Sequence, residues 1–416
     1  MPANKNDKRL LFAFILGNSA SMVPSVAIAY GIAQFKFIAV VGEGEALAAF
    51  SHTQGLITLL LILLLPCLGR MVDRFPIPGG TRYYWSLLGN IFGMLSLYGF
   101  VYSSTSQEIF LAWLGIVASY SLSGNAFKAA VPELIPENRL SSVSGKIGAT
   151  VPLMLALNII IVLGLFAESE LSTKLLILGT MQLIFSIIAM VIISRYHRQR
   201  KTQTGEGKPP QTSGKSYRQF AFVIVAKVFL NIAISGTSLL SLYYVTRFAM
   251  SQSDVFTLNA IMSLGVILIL ITGGGSVYLA ERYQRPKTFL ALGTLFIAFG
   301  LLGYALALSV WQAVVAGIFI QLGLGPVSAL VIALVNRSLP CREHYARDIA
   351  IADTAHSIGA ALIHFAAPAL VAVGAKMMSN DGYTLYFYTL MGCSLLFVVM
   401  LTFINNADHA RKHNCI

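Results

Sequence analysis

The stretch GRMVDRFPIPGGTR, residues 69–82, is short, charged and rich in Gly and Pro, and it lies between two apolar runs at 46–68 and 83–103. Each run is long enough to cross a bilayer, which needs roughly 20 apolar residues per helix. Two spans joined by a basic turn predict a polytopic membrane protein, and the pattern repeats outward in both directions. The remaining apolar runs of the first half are 10–33, 109–131, 143–166 and 174–194. Those of the second half are 220–247, 256–280, 288–309, 310–336, 349–374 and 385–405. The last pair but two is nearly continuous and is divided at Ser309, because the joint run is too long for one crossing. The reading is an all-α membrane protein with twelve transmembrane helices in two six-helix bundles.

Composition agrees. Of 416 residues, 56% are hydrophobic and 11% charged, against about 25% charged in soluble domains. So few charges cannot cover a water-soluble globule, which excludes a disordered chain, a coiled coil, a disulfide scaffold and a nucleic-acid-binding domain. The net charge of +12 reads as loop bias once the charges are placed. With both termini inside, 22 Lys and Arg fall in inside segments, four outside (Lys36, Lys174, Arg247 and Lys376) and three within spans. The positive-inside rule then predicts cytoplasmic termini and a plasma-membrane protein. The polar Met1–Arg9 segment runs straight into the first apolar run, with no small-residue cleavage site after it, and that run is expected to be helix 1. Cys67, Cys341, Cys393 and Cys415 form no CxxC pair, and neither a disulfide, a metal nor a cofactor is expected.

The longest polar stretch, 195–219, is basic and rich in Gly, Pro, Ser and Thr. It predicts a flexible cytoplasmic linker between bundles at 1–194 and 220–416. The halves are weakly alike. GRMVDRFPIPGGTR (69–82) pairs with GSVYLAERYQRPK (275–287), and VPELIPENRLSSVSGKIGA (131–149) pairs with SLPCREHYARDIAIADTAHSIGA (338–360). The separations are 208 residues from Asp73 to Glu281 and 204 from Pro136 to Pro340. Two matches at nearly one offset indicate duplication, and parallel six-helix repeats are a transporter architecture.

Gly69, Asp73, Arg74 and Arg82 resemble the GxxxDR…R signature between helices 2 and 3 of the major facilitator superfamily. Pro76, Pro78 and an insertion lengthen the spacing to the last arginine, and the second copy keeps only Glu281 and Arg282. Within that superfamily, PELIPENRLSSVSG and ARDIAIADTAHSIG are most similar to the sugar–cation symporter-like branches. Drug-efflux branches share the PELIP-type loop, but the antiporter Gly-Pro pair of helix 5 is missing among Gly145, Gly148 and Pro152. The resemblance implies a gating role for Gly69, Asp73, Arg74, Arg82, Glu281 and Arg282. Asp73 would meet the N-terminus of helix 11 near Asp348–Ala350, where a helix carries partial positive charge. A capping Asp and a solvated Arg are the plainer reading of the same residues.

The resemblance also implies that helices 1, 4, 7 and 10 line the substrate cavity. Their polar residues are Asn18 and Ser21, Tyr120 and Asn125, Lys227 with Asn231, Ser235 and Ser238, and Gln321. Amides and hydroxyls with a tyrosine suit a polyhydroxylated or zwitterionic solute, although such residues also join helices to one another. Ionisable groups within spans are functional candidates by default. Helix 11 carries Asp353, His356 and His364 at steps of three and eight, on a broadly shared face. Histidine titrates near neutral pH, and His364 ranks first for proton coupling by depth and Asp353 second by chemistry. An interfacial Asp and a histidine bonded between helices are the plainer readings. Lys128 and Lys146 sit near cytoplasmic ends and can snorkel.

No Asp or Glu falls in the middle third of any span, which disfavours cationic substrates and favours neutral or anionic ones. The expected function is secondary active transport of a small polar solute by alternating access, with protons as the candidate coupling ion, in a monomer surrounded by lipid. Export of an amphipathic compound is the alternative. A polytopic enzyme is the alternative of another class, disfavoured by the lack of HExxH, GxSxG or paired carboxylates; the chain also has no phosphate-binding loop.

Overall fold

The structure is a computed structural model, and it describes residues 5–74, 84–135, 137–200, 217–338, 345–378 and 381–404. The described residues are almost wholly helical. In the first half the helices are α1 (Lys5–Ala27), α2 (Ala33–Val41), α3 (Glu43–Arg74), α4 (Tyr84–Tyr102), α5 (Ser106–Leu134), α6 (Glu137–Ile159) and α7 (Leu171–Arg200). In the second half they are α8 (Tyr217–Gly236), α9 (Leu240–Phe248), α10 (Gln252–Ser263), α11 (Val266–Tyr283), α12 (Pro286–Leu306), α13 (Val310–Ser338), α14 (Tyr345–Met378) and α15 (Tyr383–Phe403). A π-helical segment, Ile28–Ile32, joins α1 to α2; another, Ile160–Leu165, extends α6; a 3₁₀ turn, Thr237–Leu239, links α8 to α9.

Among the described residues, eleven helical stretches are long and apolar enough to cross a membrane. The shorter apolar stretch Thr150–Leu165 stands where the fifth span is expected. This is the twelve-helix architecture. The division expected at Ser309 appears as the short turn between Leu306 and Val310. The first span departs from expectation: its helical path runs on to Val41, not 33. Pro24 and the π-helical segment are absorbed without ending it, as bilayer spans allow where neighbouring groups satisfy the freed backbone.

Local signals set the ends. Thr105 caps α5: its side chain accepts from the Glu108 amide at 3.3 Å, and Glu108 reaches back to the amides of Ser104 and Thr105 at 2.6 and 3.3 Å. That is a capping box, and it lets a three-residue connection turn the chain from α4 into α5. Ser251 likewise caps α10 through the Asp254 amide.

The chain forms two compact units. One comprises Met1–Gly207 with Ser238–Val266, and the other Lys208–Thr237 with Ile267–Ile416. In the first, α4 packs on α5 and α7, α1 on α5, α6 and α7, and α10 on α6 and the π-helical segment after it. Its core gathers Leu10, Ala13, Phe14, Phe127, Leu134, Ala189 and Ile193. In the second, α12 packs on α13 and α15, and α8 on α14 and α15. The α12–α13 approach is close enough that a Cβ on Gly300 would stand 2.6 Å from the Ala316 carbonyl oxygen. In lipid there is little hydrophobic drive between helices, so close backbone packing at small residues takes over.

Candidate functional site

The polar residues expected to line one cavity fall into distinct local settings. In the first unit, Asn18 is buried and donates to the Phe14 carbonyl at 2.8 Å; Ser21 donates to the Asn18 carbonyl at 2.8 Å. Ser21 meets α5 at Gly124, where a Cβ would stand 3.1 Å from its hydroxyl. Asn125 is half-buried. Tyr120, one turn before Gly124, is fully buried, and its ring lies on Gly93 of α4. Ser21 thus sits at the α1–α5 contact, whereas Tyr120 faces the α4 side of its helix.

In the second unit, Lys227, Asn231 and Ser235 are spaced four apart on α8, one stripe along the helix. Asn231 Nδ2 donates to the Lys227 carbonyl at 2.7 Å, and Asn231 Oδ1 lies 3.0 Å from Nδ1 of His356 on α14. An amide oxygen only accepts, so in the neutral ring the imidazole hydrogen sits on Nδ1 and Nε2 is the acceptor. Gly359 makes this approach possible: a Cβ there would stand 2.8 Å from the Val228 carbonyl oxygen and 3.0 Å from Asn231 Cβ. His356 is exposed, and Lys227 and Ser235 are half-buried. His364, two turns further along α14, is only 1% exposed. Gln321 is half-buried on α13. The structure therefore joins a residue expected in the cavity, Asn231, to one expected in coupling, His356.

Of the expected gating residues, Gly69 is half-buried near the end of α3, and Glu281 and Arg282 are exposed at the end of α11. Arg82 and the linker residues 201–216 lie outside the described residues, as do the side chains of Asp73, Arg74 and Asp353.

Sequence reasoning missed a second cluster in the first unit, where Ser238–Val266 packs on the π-helical segment Ile28–Ile32 and on α2, α6 and α7. Gln34 makes a two-ended bond to the start of α9: its Nε2 donates to the Ser238 carbonyl, and its Oε1 accepts from the Leu242 amide at 3.1 Å. Ser238 and Leu242 flank the break between α8 and α9, so one side chain satisfies backbone groups that the break releases. Gly31, at φ +125°, brings its backbone to Ser241 and Asn259, which bond to each other at 3.1 Å. Phe256 of α10 packs edge-on against Phe35 with ring centroids 5.1 Å apart.

Phe256 also lies under Lys174 Nζ, 4.9 Å from the ring centre. Lys174 is 1% exposed and donates to the carbonyls of Ala167 and Ser169 at 2.8 and 2.6 Å. Lower down, Ser263 donates to the Ala156 carbonyl at 3.4 Å, and Gly164 faces Ala260. The available signal in the sequence was Gln34 and Gly31 inside an apolar run, and a lysine directly after a loop. On the same side, Lys36 donates to the Val101 carbonyl at 2.7 Å. Burial holds its ammonium below the usual lysine range, partly opposed by the charge of Glu108.

The chemistry these groups offer is hydrogen bonding and cation chemistry. Among the described residues no Asp or Glu is buried, and none of the His, Cys, Asp and Glu gather into a metal-binding group.

Solved structures of the same fold include three informative cases. A bacterial homolog of the human lysosomal transporter Spinster, inward-facing and unoccupied, aligns at TM-score 0.68 and 13% identity, over 97% of this chain and 96% of that chain. A peptide transporter in complex with alafosfalin aligns at TM-score 0.72 and 13% identity, over 95% and 93%. A human organic anion transporter aligns at TM-score 0.65 and 13% identity, over 96% and 100%. At such identities the likeness shows the fold alone. No curated protein matches the chain in sequence. The sequence profile of the Major Facilitator Superfamily matches residues 10–363, and with that match over most of its length the chain belongs to this superfamily.

Proposed function

We propose that the chain is a secondary transporter that moves a small polar solute, sugar-like or an organic anion, by alternating access. The observation that carries the polar-solute reading is the α8 stripe of Lys227, Asn231 and Ser235, bonded through Asn231 to an exposed histidine on α14. Ionisable and amide groups at such depth are costly and are retained for function. With no buried carboxylate among the described residues, an anionic or neutral polyhydroxylated solute suits the site better than a cation. The similar structures of a peptide transporter and an organic anion transporter are in keeping with that class. The sugar–cation symporter-like branch remains the resemblance carried by PELIPENRLSSVSG.

In this reading the bundles are 1–194 and 220–416, joined by the cytoplasmic linker 195–219, in a monomer of the plasma membrane with both termini inside. The cluster of Gln34, Phe35, Lys174 and Phe256 closes the outer end. Gly69, Asp73, Arg74, Arg82, Glu281 and Arg282 hold the cytoplasmic end closed in the opposite state. Asn18, Ser21, Tyr120, Asn125 and Gln321 remain candidates for contact with the solute or for the walls behind it. Proton coupling, if present, falls to helix α14. We place it at His356 ahead of His364 and Asp353, because His356 is exposed and already hydrogen-bonded to the α8 stripe.

Purified protein in liposomes, tested for counterflow with sugars and organic anions, tests the reading. Saturable counterflow of one class is expected; absence of counterflow for every polar solute, with export of amphipathic compounds, would overturn it. Uptake driven by an imposed pH gradient, compared among wild type, His356→Gln and His364→Gln, tests the coupling site. Loss of pH-driven accumulation with counterflow retained is expected for His356→Gln alone.

A further inference from the structure

Within the first unit, α4, α5 and α7 meet along a polar seam. Ser86, Asn90, Ser123 and Ser186 are all 0–1% exposed. Asn90 Nδ2 lies 2.8, 2.8 and 3.1 Å from the Ser86 carbonyl and the hydroxyls of Ser123 and Ser186, and its two hydrogens are shared among these three acceptors. The Ser86 hydroxyl bonds those of Ser123 and Ser186 at 2.7 and 3.1 Å. One layer further along, Gln182 of α7 is fully buried, and its Nε2 donates to Asn158 Oδ1 of α6 at 2.8 Å.

Three buried atoms in this seam have no hydrogen-bond partner among the described residues: Asn90 Oδ1, Tyr120 Oη and Gln182 Oε1. They belong to neighbouring positions. Asn90 and Gly93 lie three residues apart on one face of α4, and the Tyr120 ring rests on Gly93. Ser186, which Asn90 contacts, is one turn from Gln182 on α7. Gly179, one turn beyond Gln182, meets Met94 and Leu97 of α4, so Gln182 is level with the Gly93–Met94 layer.

We propose that this seam is a buried water site, in which water accepts from Tyr120 Oη and donates to Gln182 Oε1 and Asn90 Oδ1, through one molecule or a short chain. The proton count supports it. Both amide oxygens are acceptors only, and both amide nitrogens are already directed elsewhere. The tyrosine carries one hydrogen, so direct contact with it can satisfy at most one of the two oxygens. A water molecule supplies two hydrogens and accepts the third bond, the roughly three-bond pattern typical of buried water. Leaving such groups unpaired inside a span is the costly alternative. Neutral oxygens without a carboxylate suit water better than a bound metal cation, which favours charged or more numerous oxygen ligands. The site also gives Tyr120 a role that does not depend on the transport reading.

A high-resolution structure of the full chain in lipid nanodiscs tests the site. Expected is a density peak, or a connected pair, at hydrogen-bonding distance of about 2.7–3.0 Å from Tyr120 Oη and the two amide oxygens. A dry seam would overturn the proposal, as would a peak at shorter metal–oxygen distances that depends on sodium. Thermal unfolding supplies a second readout. Tyr120→Phe keeps the ring and removes the donor; Gln182→Leu removes the acceptor. If water links the two, the double variant loses less than the sum of the single losses. Strictly additive losses would overturn the link. Should either variant fail to fold, the density of the wild-type protein still decides.

Discussion

The side-chain amide of Asn231 donates to the carbonyl of Lys227 in its own helix and accepts from His356 on α14, so one residue fixes both the amide's orientation and the imidazole tautomer. Asn231→Ala removes the acceptor and frees the ring to turn. A single neutral hydrogen bond contributes about 0.5–1.5 kcal/mol, so a roughly 2- to 10-fold loss of apparent substrate affinity is expected, with the protein still folded and in the membrane. Counterflow as a function of solute concentration measures it, and unchanged affinity would remove Asn231 from the site. Asn231 was legible in the sequence because an amide stands out in an apolar run. Its partner was not: His356 and His364 share a helix face broadly, and only the crossing of α14 over α8 at Gly359 decides which one the amide meets. The surroundings of Tyr120 were hidden for a related reason. Position on α5 places a residue on a span, but the side it faces depends on Gly93 of α4.

At the scale of the element, helix interruptions carry more than helix lengths do. The spans were readable from hydropathy alone, since a bilayer demands a long apolar run whatever the packing. The π-helical segment Ile28–Ile32 and the 3₁₀ turn Thr237–Leu239 were not, because the groups that surround them come from residues far away in sequence. Gln34 meets Ser238 and Leu242 across more than 200 residues, and Tyr386 donates to the Gly236 carbonyl at 2.9 Å. Gly31 is the sharpest case. Its φ of +125° suits glycine, and a Cβ there would stand 3.0 Å from Ser241 Oγ. Gly31→Ala is therefore expected to weaken the packing of α9 and α10 by about 1–3 kcal/mol, the range for enforced backbone strain. A single cysteine at Ser241 in a cysteine-free background reads this out. Its labelling by an impermeant thiol reagent should rise several-fold in the Gly31→Ala variant, and an unchanged rate would mean the backbone there carries no strain.

At the scale of the whole molecule, charge and sequence repeat predict orientation and halves, and neither depends on side-chain geometry. The linker 195–219 holds seven of the basic residues assigned to the inside. Single cysteines placed there should resist impermeant reagent in intact cells and react after permeabilisation; labelling in intact cells would reverse the topology. Asp73→Asn removes the charge proposed to meet the start of α14. A charge–dipole contact is worth roughly 0.3–2 kcal/mol, enough to shift the balance of two states several-fold, and slowed transport with normal membrane insertion is expected. Equal transport rates would detach Asp73 from gating.

The packing of Ser238–Val266 with helices of the first half leads to the most decisive experiment. If the chain alternates access, these contacts belong to one state only and must part in each cycle. If they are permanent, the segment is simply a fixed part of the first unit. Gly164 and Ala260 distinguish the two, because a Cβ at Gly164 would stand 2.9 Å from Ala260 Cβ. That is slightly under the roughly 3.5–4.5 Å of a disulfide, so a small outward shift suffices to form one. Gly164→Cys with Ala260→Cys, in a background lacking Cys67, Cys341, Cys393 and Cys415, should cross-link under mild oxidation. Alternating access predicts that oxidation abolishes uptake and that reductant restores it, with each single cysteine variant active in both conditions. Full uptake by the cross-linked protein would show that Ser238–Val266 never leaves the first unit, and the outer closure would then have to lie elsewhere.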